Sequence, residues 1–380
     1  MKIVMTGGGT GGHFYPHIAV AEAIEDICKE RVLVEPELFY VGPKPFDAEA
    51  LLEHDIIYKP SPAGKMRRYP SLLNVFGVFS TAIGIIRSTA QLFGLYPDVV
   101  FSTGGYGAFP TLYAARLLRI PIIVYDADTT PGRVSLWSSK FARWIALAHP
   151  DAAAKFPAGV RDRIARVGHP IRREIQSATR EGGYEFLKLD PSAPTIFIMG
   201  GSQGAQAINN AVLDALPTLL KEFNVVHQVG TANLGEVSSI ASVTLRDSRY
   251  AERYKIFGLL NTLAMRMAAG ISKLIVARAG SGTIFEIASW GIPSILVPIP
   301  EDVSHDQTKN AFSYARGGAA VVVEQRNFTP HVLVAEVERI AGDDEVRAKM
   351  SAAAKVYARP DAARKIATAL LDEALSHEPV

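Results

Sequence analysis

The chain has 380 residues, of which 48% are hydrophobic and 21% charged, a composition typical of a folded globular protein. Its length predicts two domains, since a domain usually has about 100–200 residues. The formal net charge is only +2, so we expect no nucleic-acid partner. The single cysteine, Cys28, excludes an internal disulfide and is typical of a reducing compartment.

The first residues, MKIVMTGGG, lack the long apolar core and the small-residue cleavage site of a signal peptide. The sequence has no uninterrupted run of about 20 apolar residues, so we expect no segment that spans a bilayer. Together these features predict a cytoplasmic protein and leave open binding to a membrane surface.

Short apolar runs recur, each followed by glycines or polar residues and then by a helical pattern. This alternation is typical of parallel sheets that are buried on both faces. The pattern restarts at Thr195, after a basic, proline-containing stretch, so we predict two doubly wound α/β domains. The apolar runs are residues 2–6, 98–103, 120–125, 195–200, 273–278 and 293–298.

We place the domain boundary near residues 167–171, which assigns 1–166 to an N-terminal domain and 167–354 to a C-terminal domain. Residues 343–377 predict one or two polar helices interrupted at Pro360. We expect the last helix, about 355–380, to pack back on the N-terminal domain.

A strand that runs straight into a glycine turn begins each half of the chain, at residues 5–13 and 199–206. Glycines let the backbone approach a ligand, and the next helix N-terminus favours an anion, so the pair predicts a ligand between the domains. The spacing Gly7-x-Gly9-x-x-Gly12 also matches a dinucleotide-binding motif. That motif requires an acidic residue after the next strand, where this chain has Gly-Pro-Lys at 42–44, so the match fails.

His13 lies on the first glycine turn, just before Pro16, at which we expect the helix to begin. A histidine at the mouth of a cleft can take a proton from an attacking hydroxyl near neutral pH; a capping or solvent-facing histidine is the alternative. Another glycine turn, residues 103–107, follows a strand of the same domain. The two turns together predict a site for a second phosphate-bearing ligand.

Residues 278–286, RAGSGTIFE, form a further turn between a strand and a helix. Ser281 and Thr283 can cap that helix or donate to phosphate. Glu286 falls about one turn into the helix and can accept both hydroxyls of a ribose. The alternative is that Glu286 only favours the positive end of the helix.

These motifs together resemble the MurG family, which converts lipid I to lipid II in bacterial cell-wall synthesis. The resemblance covers nearly the whole chain in the expected order. Its motifs are GGGTGGHFYP at 7–16, STGGYGAFP at 102–110, VGHPIR at 167–172, GGSQGAQAIN at 200–209, RAGSGTIFEIASWGIPSILVP at 278–298 and HDQTKNA at 305–311.

The resemblance implies an α/β protein of the GT-B fold, with two Rossmann-like doubly wound domains facing across a cleft. It implies inverting transfer of N-acetylglucosamine from UDP-GlcNAc to the C4 hydroxyl of MurNAc in undecaprenyl-pyrophosphoryl-MurNAc-pentapeptide (lipid I), which gives lipid II. The C-terminal domain would bind the UDP-sugar and the N-terminal domain the lipid, at the cytoplasmic face of the bacterial cell membrane. No cofactor is implied.

The resemblance also implies a role for individual residues, at the positions where this sequence matches a family motif. Ser202 and Arg172 would contact the phosphates or uridine of the donor. Leu260 is the candidate residue of a loop that would contact the uracil. Glu286 would bind the ribose and Gln307 the sugar hydroxyls. The diphosphate turn would consist of Ser281, Gly282, Thr283, Ile284 and Phe285, and the sugar or acceptor would be met from the opposite side by Thr10, Gly11 and Gly12.

The chain departs from the family where members usually read His-Glu-Gln-Asn, since it has Tyr125-Asp126-Ala127-Asp128. Asp126 keeps the acidic position and is a second candidate base beside His13. Asp128 replaces an amide and can still accept hydrogen bonds from sugar hydroxyls. We expect no metal, because helix N-termini and Arg172 can stabilise the leaving diphosphate.

Residues 71–96 predict an interfacial anchor on the anionic inner leaflet, because they are apolar with one charge, Arg87, and follow three basic residues. The alternative is a core helix, and we expect about half of the apolar side chains to pack on the sheet. The basic residues are Lys65, Arg67 and Arg68, and the apolar ones are Leu72, Leu73, Phe76, Phe79, Ile83, Ile86 and Phe93.

Two other functions remain open at this stage. One is a related transferase that acts on another lipid or small-molecule acceptor. The other is a UDP-GlcNAc epimerase, which would need no acceptor, and against which the paired glycine turns and the apolar segment argue.

Overall fold

The computed structural model of the protein describes residues 1–65, 72–200, 205–301 and 307–376. The chain forms two compact units: Met1–Arg172 with Arg359–Val380 form unit 1, and Arg173–Ala358 form unit 2. The chain therefore leaves unit 1 after Arg172, compared with the expected 166, and returns to it at Arg359, compared with the expected 355.

Unit 1 is a parallel sheet covered by helices. Its strands are β1 (Lys2–Thr6), β2 (Glu37–Gly42), β3 (Ile57–Pro60), β4 (Val99–Ser102), β5 (Ile122–Asp126), β6 (Trp144–Leu147) and β7 (Ile164–Arg166). Its helices are α1 (Gly11–Arg31), α2 (Ala48–Glu53), α3 (Leu72–Leu95), α4 (Phe109–Leu117), α5 (Arg133–Ser138) and the last helix of the chain, α14 (Ala362–Leu375), which packs against α1.

Unit 2 repeats this architecture. Its strands are β8 (Thr195–Met199), β9 (Asn224–Gln228), β10 (Tyr254–Phe257), β11 (Ser272–Ala277), β12 (Ser294–Leu296) and β13 (Ala320–Val322). Its helices are α6 (Gly183–Leu187), α7 (Gln206–Leu219), α8 (Leu234–Thr244), α9 (Thr262–Ile271), α10 (Ser281–Trp290), α11 (Gln307–Ala315), α12 (Pro330–Ala341) and α13 (Asp344–Tyr357).

The strand order places a switch point in each sheet. Unit 1 has the order β3-β2-β1-β4-β5-β6-β7 and unit 2 the order β10-β9-β8-β11-β12-β13. The chain thus moves outward from β1 or β8 on one side and resumes on the other side at β4 or β11. Loops from the two adjacent strands diverge there, which opens a crevice at the carboxyl ends of the strands. All the glycine turns found in the sequence follow these four strands.

The central strands are buried on both faces. All residues of β4, β5 and β8 are buried, as the apolar runs predicted. Adjacent strands pair in parallel, for example Ile3 of β1 with Val99 of β4. Because the core residues hold these strand ends rigidly, the turns that follow them are positioned by the core rather than by their own sequence.

Helix α1 begins at Gly11, so the prediction that it begins at Pro16 is wrong. Pro16 lies inside the helix, in its second turn. Proline is disfavoured there because it has no N–H to donate to the carbonyl four residues earlier, that of Gly12. Extending the helix to Gly11 brings His13 into its first turn.

Helix α3 turns small residues inward and large ones outward. Gly77, Gly84, Ser88 and Leu92 are buried. Backbone of the segment before the helix lies close to the two glycines, since a Cβ on Gly84 would lie 1.9 Å from the carbonyl oxygen of Pro62. This close approach leaves no room for a side chain at the two glycines, so among the described positions of α3 only Leu92, farther along the helix, is both large and buried.

We expected about half of the apolar side chains named in residues 71–96 to pack on the sheet, and the structure shows a different division. The five of them that the structure describes are all exposed: Phe76, Phe79, Ile83, Ile86 and Phe93. The side chains of Leu72 and Leu73, and residues Arg67 and Arg68, lie outside the described part of the chain. Within that part, Asn74–Leu95 is long and apolar enough to cross a membrane by length and composition, and only 22% of an 18-residue stretch of it is buried in the protein.

Candidate functional site

Two glycine turns meet at the switch point of unit 1. A Cβ on Gly8 would lie 3.4 Å from the Cα of Gly105, and one on Gly105, which has a φ of +77°, would lie 2.9 Å from the Cα of Gly8. The ring of His13 lies against both, since its Cδ2 would be 2.9 Å and 3.5 Å from those two Cβ positions. A side chain at either position would collide with the other turn or with His13, so both positions require glycine.

The hydrogen bonds of His13 define its tautomer. Its Nδ1 lies 2.8 Å from the carbonyl oxygen of Thr103. A carbonyl oxygen can only accept, so Nδ1 carries the hydrogen and Nε2 carries a lone pair. His13 is partly exposed, and its imidazole can accept a proton at Nε2.

Asp126 lies at the carboxyl end of β5 and holds the loop that follows. One carboxyl oxygen accepts from the N–H of Asp128 at 3.3 Å and the other from the N–H of Gly132 at 3.2 Å. Burial, with a smaller contribution from the charge of Asp128, raises the pKa of Asp126 to about 7, against hydrogen bonds from Ser135 and the two N–H groups that lower it. Near neutral pH this carboxyl is therefore part protonated.

The other predicted residues of unit 1 lie around the start of α1. Thr10, its N-cap residue, and Gly12 are exposed, and Gly11 is half-buried. Arg172 belongs to unit 1, although we expected it in the donor-binding domain, and its guanidinium carbon lies 4.1 Å from the centre of the Tyr15 ring. Its donor contact stays a prediction.

The turn between β11 and α10 presents a helix N-terminus at the switch point of unit 2. Its N-cap residue is Gly280, which has no side chain to cap the helix. The positive end of the helix and its first N–H groups therefore suit an anion. The side chains of Ile284 and Phe285 are buried in the unit, so these residues can meet a ligand only through the main chain.

Gln307 joins this turn to the segment after β12. Its Oε1 accepts from the N–H of Ala279 at 3.3 Å and from the N–H of Ile299 at 3.1 Å. These bonds identify the amide oxygen and orient the amide nitrogen towards Gly280, whose Cβ would lie 4.0 Å from it. The two N–H donors of Gln307 thus lie beside the start of α10.

The remaining predicted residues differ in what they can offer. Glu286 lies half-buried in the second turn of α10. Leu260 is buried, and its N–H donates to Oε1 of Gln228 at 3.0 Å, so its main-chain carbonyl is the atom left to meet a nucleotide. Ser202 lies outside the described residues. No group of three or more potential metal ligands occurs among the described residues.

Three residues around these turns escaped the sequence analysis. Thr103 was treated only as part of a glycine turn, yet it bonds His13; Gln228 holds the loop at Leu260. His17 is fully buried beside Thr103. The signal that could have identified His17 is its spacing of four residues from His13, which places both on one face of a helix.

Comparison with known proteins places both units in one family. The model of the glycosyltransferase family 28 N-terminal domain matches residues 3–147, and that of the family 28 C-terminal domain matches residues 195–366. The chain is 34% identical to the UDP-N-acetylglucosamine–N-acetylmuramyl-(pentapeptide) pyrophosphoryl-undecaprenol N-acetylglucosamine transferase of Treponema denticola, over 93% of each chain. It is 36% identical to the transferase of the same name from Legionella pneumophila, over 92% of each chain.

A solved structure has the same fold. The crystal structure of Acinetobacter baumannii MurG superposes with a TM-score of 0.73 and covers 98% of this chain and 99% of its own, at 24% sequence identity. At this identity the likeness supports the fold alone.

The raised pKa of Asp126 predicts a specific effect of pH on stability. In the folded protein the carboxyl keeps its proton up to about pH 7, whereas the ordinary pKa of an aspartate carboxyl, which applies to the unfolded chain, is 3.8. Its contribution to stability is therefore complete below pH 3.8 and is lost as the pH rises through 7. Asp126→Asn cannot titrate, so the free energy of unfolding of the parent should fall relative to this variant between about pH 4 and 7, by at most ~1.4 kcal/mol per pH unit, and level off above that range.

Urea unfolding at a series of pH values measures this difference. Asp247→Asn, at an exposed position, is the matched control and should leave the pH dependence of the parent unchanged. A parent-minus-variant difference that stays constant between about pH 4 and 7 would show that the pKa of Asp126 is not raised by folding.

Proposed function

Because the chain belongs to the MurG family within glycosyltransferase family 28, we propose that it transfers N-acetylglucosamine from UDP-GlcNAc to the C4 hydroxyl of MurNAc in lipid I, with inversion, to give lipid II. The family models and the relatives confirm the family predicted from the sequence, and the solved structure confirms the GT-B fold class. The observation that supports the proposal most directly is that both switch points carry glycine turns, with His13 at the one in unit 1 and a helix N-terminus at the one in unit 2.

On the acceptor side, His13 is the base. Its Nε2 carries the lone pair, because Nδ1 donates to Thr103, and it takes the proton of the C4 hydroxyl as that oxygen attacks the anomeric carbon of the donor. The new oxygen–carbon bond forms while the bond from the anomeric carbon to the β-phosphate oxygen breaks. The proton passes from His13 to solvent, and UDP leaves with the bonding electrons.

On the donor side, the start of α10 stabilises the leaving diphosphate. Its helix dipole and first N–H groups face the charge that develops as the bond to UDP breaks. The donors of Gln307 lie next to this turn and bind sugar hydroxyls, while Glu286 accepts the ribose hydroxyls from the second turn of the same helix. Stabilisation by these fixed groups requires no cofactor.

Asp126 and Asp128 shape the acceptor side. The carboxyl of Asp126 accepts main-chain N–H groups at both ends of the loop 127–132, which makes it a support for that loop. Asp128, on the loop and half-buried, takes the hydroxyl-accepting role of the amide usual in the family. Asp126 is the competing base, because its pKa near 7 suits proton transfer at neutral pH.

Helix α3 binds the membrane that contains the lipid acceptor. Its exposed face carries Phe76, Phe79, Ile83 and Ile86, between 58% and 73% exposed. Such a contiguous apolar surface on one helix is typical of an interfacial anchor. It favours a membrane-bound acceptor over a soluble one and over an epimerase, which would act on UDP-GlcNAc alone. We therefore place the protein at the cytoplasmic face of the cell membrane.

The proposed reaction is tested with labelled UDP-GlcNAc and a short-chain lipid I analogue. The protein should form a β-linked disaccharide lipid. His13→Ala should lower turnover by roughly 10²–10⁴, the range for a general base, and leave UDP affinity unchanged, with exposed His331→Ala as the matched control. If His13→Ala keeps parental turnover while Asp126→Asn is inactive, Asp126 is the base; if the protein makes no disaccharide lipid, the proposed transfer is wrong.

Gln307→Glu separates binding of the sugar from binding of the nucleotide. The carboxylate still accepts the N–H groups of Ala279 and Ile299 but has no donor for a sugar hydroxyl. UDP is the reference ligand, because the new charge affects its diphosphate equally. We expect calorimetry to show UDP-GlcNAc affinity falling about 3- to 10-fold relative to UDP, as loss of one net hydrogen bond predicts. Gln325→Glu, in the same unit, should leave the ratio unchanged, and an unchanged ratio in Gln307→Glu would exclude the sugar contact.

The double variant Phe79→Ser/Ile86→Ser tests the membrane contact of α3. These side chains are 66% and 73% exposed and lie seven residues apart on one face. Burial of each is worth ~1.5–3 kcal/mol, so partial insertion predicts at least about tenfold weaker binding to vesicles of phosphatidylglycerol and cardiolipin in sedimentation. Val243→Ser, at an exposed position of α8, should bind like the parent. Equal binding by the double variant would remove α3 from the membrane contact.

A further inference from the structure

We propose that Thr103 and His17 are positioning residues for His13, whose imidazole they hold in one tautomer and one orientation through a hydrogen-bonded network below the first glycine turn. This rests on the proposed function, in which Nε2 of His13 accepts the proton of the acceptor hydroxyl. Both residues act through His13, so neither is a catalytic residue.

Thr103 and His13 are joined by two hydrogen bonds that run in opposite directions. The Nδ1–H of His13 donates to the carbonyl oxygen of Thr103 at 2.8 Å, and the hydroxyl of Thr103 donates to the carbonyl oxygen of His13 at 2.6 Å. One bond holds the ring and the other holds the main chain from which the ring projects. The first turn of α1 is thereby tied to the end of β4, and the ring cannot rotate without breaking a bond.

His17 completes the network from below. It lies one turn after His13 on α1, and its Nε2 is 3.1 Å from the hydroxyl oxygen of Thr103. That hydroxyl has one hydrogen, which it donates to His13, so His17 must donate its own from Nε2. The direction of each bond in the network is therefore determined, and the Thr103 hydroxyl cannot turn away from His13 without losing both partners.

The surroundings of His17 keep it neutral and fixed. Burial, with a contribution from the charge of His13, lowers the pKa of His17 to about 3. The rings of Tyr40 and Phe101 meet its ring edge-on, with centroids 5.5 Å and 5.3 Å away. A neutral His17 has a single N–H, and because the hydrogen of the Thr103 hydroxyl goes to the carbonyl oxygen of His13, that N–H lies at Nε2.

Gly7 shows how tightly the network fills its space. A Cβ on this residue would lie 2.3 Å from the hydroxyl oxygen of Thr103, 2.8 Å from Nε2 of His17 and 3.0 Å from the carbonyl oxygen of His13. Three atoms of the network thus occupy the volume that a side chain would need. Gly7 is glycine because the network lies against its α-carbon, whereas Gly105 also needs its positive φ.

The test compares Thr103→Val with Thr103→Ser in the transfer assay. Valine has the shape of threonine without the hydroxyl, and serine keeps the hydroxyl. We expect kcat to fall about tenfold or more in Thr103→Val, part of the 10²–10⁴ supplied by a general base, while KM for UDP-GlcNAc and the Kd for UDP stay at parental values. Thr103→Ser should restore kcat to within about twofold, since the bonding group is present.

The second measurement reads the tautomer directly and needs no turnover. In nitrogen-15 spectra of the histidine-labelled protein, His13 should show a protonated Nδ1 and an unprotonated Nε2. Thr103→Val keeps the carbonyl oxygen that accepts from Nδ1 but loses the hydroxyl that ties the main chain of His13 to it. The Nδ1 bond should then be less well held, so the His13 signals should shift part of the way towards an average of the two tautomers, whereas in Thr103→Ser they should match the parent. His13→Gln identifies the signals.

The third variant tests whether His17 acts through Thr103. His17→Phe keeps an aromatic ring against Tyr40 and Phe101 and removes the N–H. If the two residues form one unit, His17→Phe combined with Thr103→Val should lower kcat no further than Thr103→Val alone. Additive effects of the two changes would overturn the role of His17.

The remaining outcomes decide the proposal. Parental kcat and parental spectra in Thr103→Val would overturn it, as would equal losses in Thr103→Val and Thr103→Ser, which would indicate packing alone. A parallel loss of UDP binding would also contradict it, because the proposed function assigns UDP to unit 2 and His13 belongs to unit 1. Failure of the parent to make lipid II would refute the proposed function, while the spectra would still decide whether the network sets the tautomer.

Discussion

The constraint on which the rest of the structure depends is the reversal of strand order in each parallel sheet. In unit 1 the reversal lies between β1 and β4, and in unit 2 between β8 and β11. The connections that follow these adjacent strands run in opposite directions. A crevice for a ligand therefore opens between them, at the carboxyl ends of the strands. The predicted residues of the glycine turns follow these strands, whereas Asp126, Leu260 and Gln307 follow β5, β10 and β12. The repeated topology gives each unit an equivalent crevice with different side chains.

At the crevice of unit 1, the absence of side chains matters as much as their presence. Gly8 and Gly105 let two backbone turns come together, and Gly7 leaves room for the network below His13. A residue with a Cβ at any of these positions would separate the turns from the histidine. The chemistry therefore depends on a backbone arrangement that is held by the buried strands on either side.

The two crevices differ in their polar groups: titratable side chains line the one in unit 1, and fixed hydrogen-bond donors line the one in unit 2. In unit 1, burial keeps His17 neutral and leaves Asp126 part protonated near pH 7, so groups around this crevice can hold or exchange protons. In unit 2, the start of α10 and the amide of Gln307 offer fixed donors instead. Proton transfer and stabilisation of a leaving anion are the two tasks of a single-displacement transfer, and each unit presents groups suited to one of them.

Much of this protein was determined by its sequence alone. The apolar runs and glycine turns predicted two doubly wound units, because buried parallel strands require continuous apolar residues and backbone turns at a phosphate require glycine. The family was implied by the resemblance of the motifs. The glycine turns also predicted, for the same local reason, that a helix follows each strand end, as α1 and α10 do, while the binding roles of residues 10–12 and 281–285 stay predictions. Only the tertiary structure decided what depends on contacts between distant segments: the bond from Thr103 to His13, the two N–H groups that meet Gln307, and the outward direction of Phe79 and Ile86. The apolar character of α3 was visible in the sequence, but not which face of the helix lies inward. That was decided by Gly77 and Gly84, which lie against the main chain of residues 62–65. No local sequence pattern predicts this contact.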